Sequence, residues 1–117
     1  MAVRTILILE DDPGSARVFA AALRAAGQET VVTSGFEEAR KQLRQSPPDG
    51  LLTDVRLAEY NGLQLAILFR SLAPTAPILV VSGHDDPVIR KEVANISGAH
   101  FLPKPVKVED LIEFFAK

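Results

Sequence analysis

Gly50-Leu51-Leu52-Thr53, followed at once by Asp54, decides the reading of this chain: a short apolar run that stops on a carboxylate. Three further apolar runs also end in polar groups, at Glu10-Asp11, Ser82 and Lys104. If these runs are strands of a parallel sheet, their carboxyl ends share one edge, and ligands bind in the crevice outside that edge. Side chains remote along the chain would then meet there. An acid pair, a carboxylate able to act as nucleophile, a hydroxyl and an ammonium in one place make a metal-assisted phosphoryl-acceptor site.

The remaining pattern supports such a sheet. Apolar runs alternate with segments of helical period, and Gly or Pro falls between nearly all of them, which is the signature of βαβ units. Five strands are read at Thr5 to Leu9, Glu29 to Thr33, Gly50 to Thr53, Ile78 to Ser82 and His100 to Leu102. Each reads as continuous rather than alternating, which predicts burial on both faces. Helices are placed at Gly14 to Ala26, Phe36 to Arg44, Gly62 to Leu72, Pro87 to Ile96 and Val108 to Ala116. Gly27 and Gly98 suit left-handed helix ends, and Pro87 suits a first helical turn. The predicted fold is α/β, a (βα)5 doubly wound five-stranded parallel sheet with helices on both faces.

Composition bounds the function. At 117 residues, 1–117 is expected to be one domain with no second module. A hydrophobic fraction of 47% with 24% charged residues is that of a globular chain, and the formal net charge of -2 offers no basic footprint for nucleic acid. There are no cysteines, so disulfides and thiolate metal sites are excluded. No apolar run approaches the ~20 residues that span a bilayer, and the segment before Ile6 lacks a signal-peptide layout, so a cytoplasmic location with no membrane contact is expected.

Glu10-Asp11-Asp12 after the first strand supplies hard oxygen ligands that suit Mg²⁺. An acidic turn opening a helix is equally a capping feature, and Asp12, next to Pro13, is read as that cap. Asp11 is the direct ligand in this reading, and Glu10 reaches the ion through water. Asp54 would sit beside these acids, and two like charges ~5 Å apart at an effective dielectric near 20 repel by roughly 3 kcal/mol. A cation bound by Asp11, Asp54 and a backbone carbonyl just past Asp54, that of Arg56, relieves the repulsion. Ser82 offers a hydroxyl, or is a simple turn residue. Lys104 lies in Pro103-Lys104-Pro105, where a cis Lys104-Pro105 bond is accessible and would turn the ammonium inward toward a phosphoryl oxygen. An exposed lysine in a rigid loop is the alternative.

Taken in order, Ile6-Leu7-Ile8-Leu9-Glu10-Asp11-Asp12, Thr53-Asp54-Val55-Arg56-Leu57 with Asn61-Gly62, Val80-Val81-Ser82-Gly83, and Gly98-Ala99 with Phe101-Leu102-Pro103-Lys104-Pro105 resemble the receiver domain of bacterial two-component response regulators, the CheY-like family. The spacings agree: 43 positions separate Asp11 from Asp54, and 22 separate Ser82 from Lys104. The resemblance implies that Asp54 accepts a phosphoryl group from a histidine kinase's phosphohistidine, with Mg²⁺ held at Glu10, Asp11 and Asp54. It also implies that Ser82 and Lys104 bind phosphoryl oxygens and that Phe101 is an aromatic switch residue, although Phe101 also reads as plain core. Arg56 and His84 stand where the family tunes the lifetime of the aspartyl phosphate, and His84 reads as well as a solvated loop histidine. Against the family pattern, Glu10 replaces a commoner Asp, Ser82 a commoner Thr, and Ala58 a usual Pro, and the Gly98 to Lys104 segment is one residue shorter.

Partner surfaces follow from helix faces. With Phe19, Leu23 and Ala26 toward the sheet, Val18, Ala21 and Ala25 fall on the outer face of the first helix, where relatives dock a kinase or phosphotransfer protein. Alanine's helix propensity explains the same residues without a partner. In the last helix Val108, Leu111, Ile112 and Phe115 form the buried stripe, leaving Phe114 on its flank. With Lys107, Phe114 is a candidate for contact with a downstream output protein or for a phosphorylation-dependent homodimer; edge-of-core packing is its simpler role. The whole reads as a signalling switch and not a turnover enzyme. The alternatives are a receiver-like interaction module that no longer takes phosphate, and an aspartyl-phosphate hydrolase, against which stands Arg56 where such enzymes often carry a second Asp.

Overall fold

The computed structural model describes residues 4–55, 62–83 and 87–116. Strands and helices alternate: β1 Thr5–Leu9, α1 Pro13–Ala25, β2 Glu29–Thr33, α2 Phe36–Gln45, β3 Gly50–Asp54, α3 Gly62–Leu72, β4 Ile78–Ser82, α4 Pro87–Ala94, β5 Ala99–Pro103 and α5 Val108–Phe115. All strands pair in parallel in one sheet of order β2-β1-β3-β4-β5. The (βα)5 expectation is met, with each strand within a residue or so of its predicted bounds.

Strand residues alternate between two cores. Leu7, Leu9, Leu51 and Val80 face α2, α3 and α4, packing with Leu43 and Phe69. Ile6, Ile8, Leu52 and Val81 face α1 and α5, packing with Leu23 and Phe115. Apolar side chains on both faces explain why β1, β3 and β4 read as continuous runs. Each fully buried Leu or Ile there is worth about 1.5–3 kcal/mol relative to exposure.

Some expectations fail at the periphery. β2 and β5 are edge strands, so Glu29, Val32, His100 and Pro103 are exposed, and burial on both faces does not extend to them. Ala26 is exposed because α1 ends at Ala25, and Ala26 only caps it. Val108 is 37% exposed, since the first turn of α5 precedes the stripe that Leu111 and Phe115 bury. Val18, Ala21 and Ala25 do lie on the outer face of α1. Phe114 is half-buried and packs edge-on against His100 and Phe115. Gly27 and Gly98 adopt φ of 91° and 73°, the left-handed ends expected of them.

Candidate functional site

The sheet order reverses between β1 and β3: the chain runs outward from β1 to β2, then returns to β3 on the other side. The crevice at the carboxyl ends of those two strands is the topological switch point of such a sheet. Glu10 follows β1 and Asp54 closes β3, so each enters the crevice from a strand whose position the core fixes. Both are buried, at 2% and 6% exposure, while Asp11 beside them is exposed.

One carboxylate oxygen from each of Glu10, Asp11 and Asp54 lies within 4.8 Å of the others. Three acids this close repel, and the structure answers with a cation. The Lys104 Nζ donates to Glu10 Oε1 and to Asp54 Oδ2, at 2.6 Å each. The ammonium is therefore turned inward, as the Pro103-Lys104-Pro105 reading proposed, and the Lys104-Pro105 bond is cis. Its partners here are carboxylates. The Lys104 N–H also donates to the Ser82 carbonyl at 2.8 Å, which ties the loop after β5 to the end of β4.

Burial lifts the Glu10 carboxyl above its ordinary value, and the hydrogen bonds from Lys104 and from the Asp12 N–H only partly offset this. Burial also works against the Lys104 ammonium. Its hydrogen bonds to Asp54 and Glu10 outweigh that cost and raise it above the usual lysine range. Asp12 stands apart. Its Oδ2 accepts from the Ser15 hydroxyl at 2.7 Å and from the Ser15 N–H at 3.0 Å, which makes it the cap of α1 and holds its carboxyl below the usual range.

The oxygen-only donor set of Glu10, Asp11 and Asp54 fits a hard divalent ion such as Mg²⁺. Ser82 is fully buried at the end of β4. Phe101 is half-buried opposite Val80, with the Arg90 guanidinium 4.8 Å above its ring. β5 starts directly after Gly98 and carries Phe101. Arg56 and His84 lie outside the described residues, as does Ala58.

Sequence reasoning missed three participants. Thr33 ends β2, is buried, donates its hydroxyl to the Ile8 carbonyl at 2.8 Å, and accepts at its own carbonyl from the Glu10 N–H at 3.1 Å. It orients the backbone of Glu10. The signal was available, since the second strand also closes on a polar residue. Thr53 and Gly62 form the other unnoticed feature: the Thr53 hydroxyl donates to the Asp54 carbonyl at 3.0 Å, and a Cβ on Gly62 would lie 1.7 Å from that same oxygen.

Two hollows differ in how they relate to this chemistry. One of about 720 Å³ lies at the opposite edge, lined in part by Arg4, Asp49, Arg70, Gly98, His100 and Phe114. A smaller one of about 330 Å³ adjoins Glu10 and Asp11 beneath Arg17 and Val32. Among the described residues no helix is long and apolar enough to cross a membrane.

Known proteins resemble the chain in sequence and in fold. Over 106 residues the chain is 26% identical to the transcriptional regulatory protein ZraR of Escherichia coli, covering 91% of this chain and 24% of that protein. It is 32% identical over 114 residues to a response regulator receiver protein of Anaeromyxobacter, covering 95% of this chain and 47% of that one. The chain thus spans about a quarter to a half of the length of these curated relatives. A crystal structure of a CheY-like response regulator receiver domain protein from Methanospirillum hungatei superposes with a TM-score of 0.91 at 22% identity, covering 98% of this chain and 92% of that one, a likeness of fold. Residues 6–116 match the family described as the response regulator receiver domain. With that match over nearly the whole chain, the chain belongs to the response regulator receiver domains of two-component signalling.

Proposed function

We infer that Asp54 is the phosphoryl acceptor of this receiver, and that its donor is the phosphohistidine of a histidine kinase or phosphotransfer protein in the cytoplasm. In the transfer, the P–N bond of the donor breaks and a P–O bond forms to the Asp54 carboxylate. The imidazole leaves with the bonding electron pair and takes up a proton. The observation that carries this reading is the convergence of the Lys104 ammonium on Asp54 and Glu10, across 50 and 94 residues of chain, at 2.6 Å each.

Glu10, Asp11 and Asp54, with the Arg56 carbonyl, would hold Mg²⁺, which supplies positive charge to neutralise the oxygens of the transferring group. Lys104 exchanges a carboxylate oxygen for a phosphoryl oxygen, and its charge is stabilised in either arrangement. The Ser82 hydroxyl donates to another phosphoryl oxygen. Arg56 and His84 tune the survival of the aspartyl phosphate. Phosphorylation then shifts a two-state equilibrium through Ser82 and Phe101, altering affinity for an output protein, an output domain or a second copy. A shift from 1:99 to 99:1 needs about 5.5 kcal/mol of differential binding. Acceptance and loss of the group are single events per molecule, so the protein acts as a switch and not as a turnover enzyme.

Incubation with a small acyl phosphate or phosphoramidate and Mg²⁺, read by intact mass, tests this. One phosphoryl increment is expected in the parent and none in Asp54→Asn. An unlabelled parent would leave a receiver-like interaction module instead, and continuous release of phosphate without accumulated label would indicate a hydrolase.

A further inference from the structure

Asp54 sits where the sheet stops constraining it on one side. Its neighbour in β1 is gone, because that register ends at Leu9 opposite Thr53, whereas on the other side Asp54 still pairs with Val81 of β4. The peptide unit that follows Asp54 is tied to β4 at its N–H, which Val55 donates to the Val81 carbonyl at 3.1 Å, while its carbonyl is held by other means. Thr53 is fully buried, and its Oγ1 donates to the Asp54 carbonyl at 3.0 Å. On the far side of that carbonyl α3 begins with Gly62, whose N–H donates to the Val55 carbonyl at 2.9 Å. The approach is so close that a Cβ on Gly62 would stand 1.7 Å from the Asp54 oxygen and 2.6 Å from Thr53 Oγ1.

We propose that the Thr53 hydroxyl is a positioning group for Asp54: it pins the carbonyl of the acceptor residue against Gly62 and so sets the direction in which the Asp54 carboxylate leaves the backbone. This rests on the reading of Asp54 as acceptor. With the Val55 N–H bonded to β4 at one end of this peptide unit, a carbonyl held at the other completes the constraint on backbone rotation at the Asp54 Cα, and the side chain turns with it. Threonine suits the task because its β-branched side chain is restricted in χ1, so the hydroxyl does not wander between partners. Position matters in phosphoryl transfer, where catalysis is chiefly alignment, and a displacement of about 1 Å can cost about a hundredfold in rate. A bland alternative is that Thr53 is a strand-forming core residue whose hydroxyl merely satisfies itself locally.

Two substitutions separate these roles because they divide the side chain. Thr53→Val keeps the shape and loses the hydroxyl; Thr53→Ser keeps the hydroxyl and loses the methyl. A packing role makes Val the better replacement, whereas a positioning role makes Ser the better one. The initial rate of labelling by acetyl phosphate in saturating Mg²⁺ is measured for both, with site assignment by peptide mass and a thermal melt of each variant. The expected result is a fall of about tenfold in Thr53→Val, and a rate within about twofold of the parent in Thr53→Ser even where Ser melts lower. Should Thr53→Val fail to fold, Thr53→Cys takes its place, since a thiol fills the space but donates weakly. Labelling in Val or Cys equal to or faster than in Ser, with the parent labelled on Asp54, overturns the positioning role alone. Absence of label on Asp54 in the parent overturns the acceptor reading and this role together.

Discussion

The two edges of the sheet are built from similar residues and treat them in opposite ways. At the amino edge, around the larger hollow, charged side chains close the fold. Asp49 Oδ2 accepts from the Thr5 N–H at 2.8 Å while the Asp49 N–H returns a bond to the Thr5 carbonyl, and Arg70 Nη1 donates to the Ala73 carbonyl just past α3. Each charge serves one nearby backbone group. At the carboxyl edge, Glu10 and Asp54 are buried side by side and served by a lysine from the far end of the chain. The arrangement costs repulsion and desolvation that a turn does not need. The carboxyl edge is marked by acids buried together around one ammonium, and the size of a hollow carries no such information.

The sharpest test of that contrast pairs one cation from each edge. Lys104→Ala is expected to slow labelling of Asp54 by about a hundredfold, the range seen when one preorganised donor to a developing charge is removed. It should also cost about 2 kcal/mol in chelator by urea unfolding. That is less than the ~3–5 kcal/mol of a fully buried pair, because the Lys104 side chain is 23% exposed. Arg70→Ala is expected to lose about 1 kcal/mol by the same measurement and to keep its labelling rate within about twofold. If both variants slow labelling alike, the edges are not functionally distinct.

A smaller effect follows from the metal. An ion that binds only the folded state at a hundredfold excess over its Kd adds about 2.7 kcal/mol, read as a rise in the melting midpoint with Mg²⁺ over chelator. The pH dependence has opposite signs in the two conditions. In chelator, Glu10 has its pKa raised above 4.5 by burial, so its contribution is full below that value and is lost as the pH rises through the folded-state pKa. With Mg²⁺ the ligand must be ionised, so the metal's increment grows over the same window. The gap between the two stability curves should therefore widen as the pH rises above 4.5. In Glu10→Gln the widening attributable to this carboxyl should disappear; a gap of constant height in the parent would remove Glu10 from the ligand set.

The contrast also explains what was legible in the sequence. Leu51 and Leu52 belong to a strand buried on both faces, and a strand of that kind announces itself by composition alone. The end of such a strand is equally visible, which is how Asp54, Ser82 and the Glu10-Asp11 pair were found. Edge position was not visible: Val32 and His100 occupy strands that read like the central ones, and only the strand order exposes them. Nor was pairing. The contact of Lys104 with Glu10 spans 94 residues and depends on how β5 returns beside β4, so the local sequence does not reveal it. Repulsion between the acids did call for a cation. Thr53 went unnoticed because threonine in a strand is ordinary, and its hydroxyl matters only through the close approach of Gly62.

Away from both edges, the outer face of α1 offers an intermediate case. Val18 is 52% exposed on a helix whose polar residues are few, and its substitution touches neither core. Val18→Glu is expected to slow phosphoryl transfer from a cognate histidine kinase by about tenfold, near the ~1.4 kcal/mol of a weakened contact, and to leave labelling by acetyl phosphate unchanged. Equal slowing with both donors would show that the change reaches the crevice and not a docking surface.

The least effect belongs to the amino edge, where a backbone requirement can be separated from chemistry. Gly98 turns the chain from α4 into β5 with φ of 73°, and a Cβ there would stand 3.3 Å from Arg70 Nη2, the movable end of a long side chain. The left-handed conformation, not the contact, therefore sets the cost. Gly98→Ala should lose about 1–2 kcal/mol, and Gly98→Asn less, because asparagine visits that region more readily than alanine. Since β5 begins at the next residue and carries Phe101 and, just beyond its end, Lys104, the labelling rate of both variants reports whether a strained turn reaches the opposite edge. The β4–β5 register from Ile78 and Ala99 to Ser82 and Pro103 lies between them, with Val80 and Val81 buried, and it should absorb the disturbance. Unchanged labelling in a measurably destabilised Gly98→Ala is the expected outcome; slowed labelling would mean that the turn and the crevice move as one body.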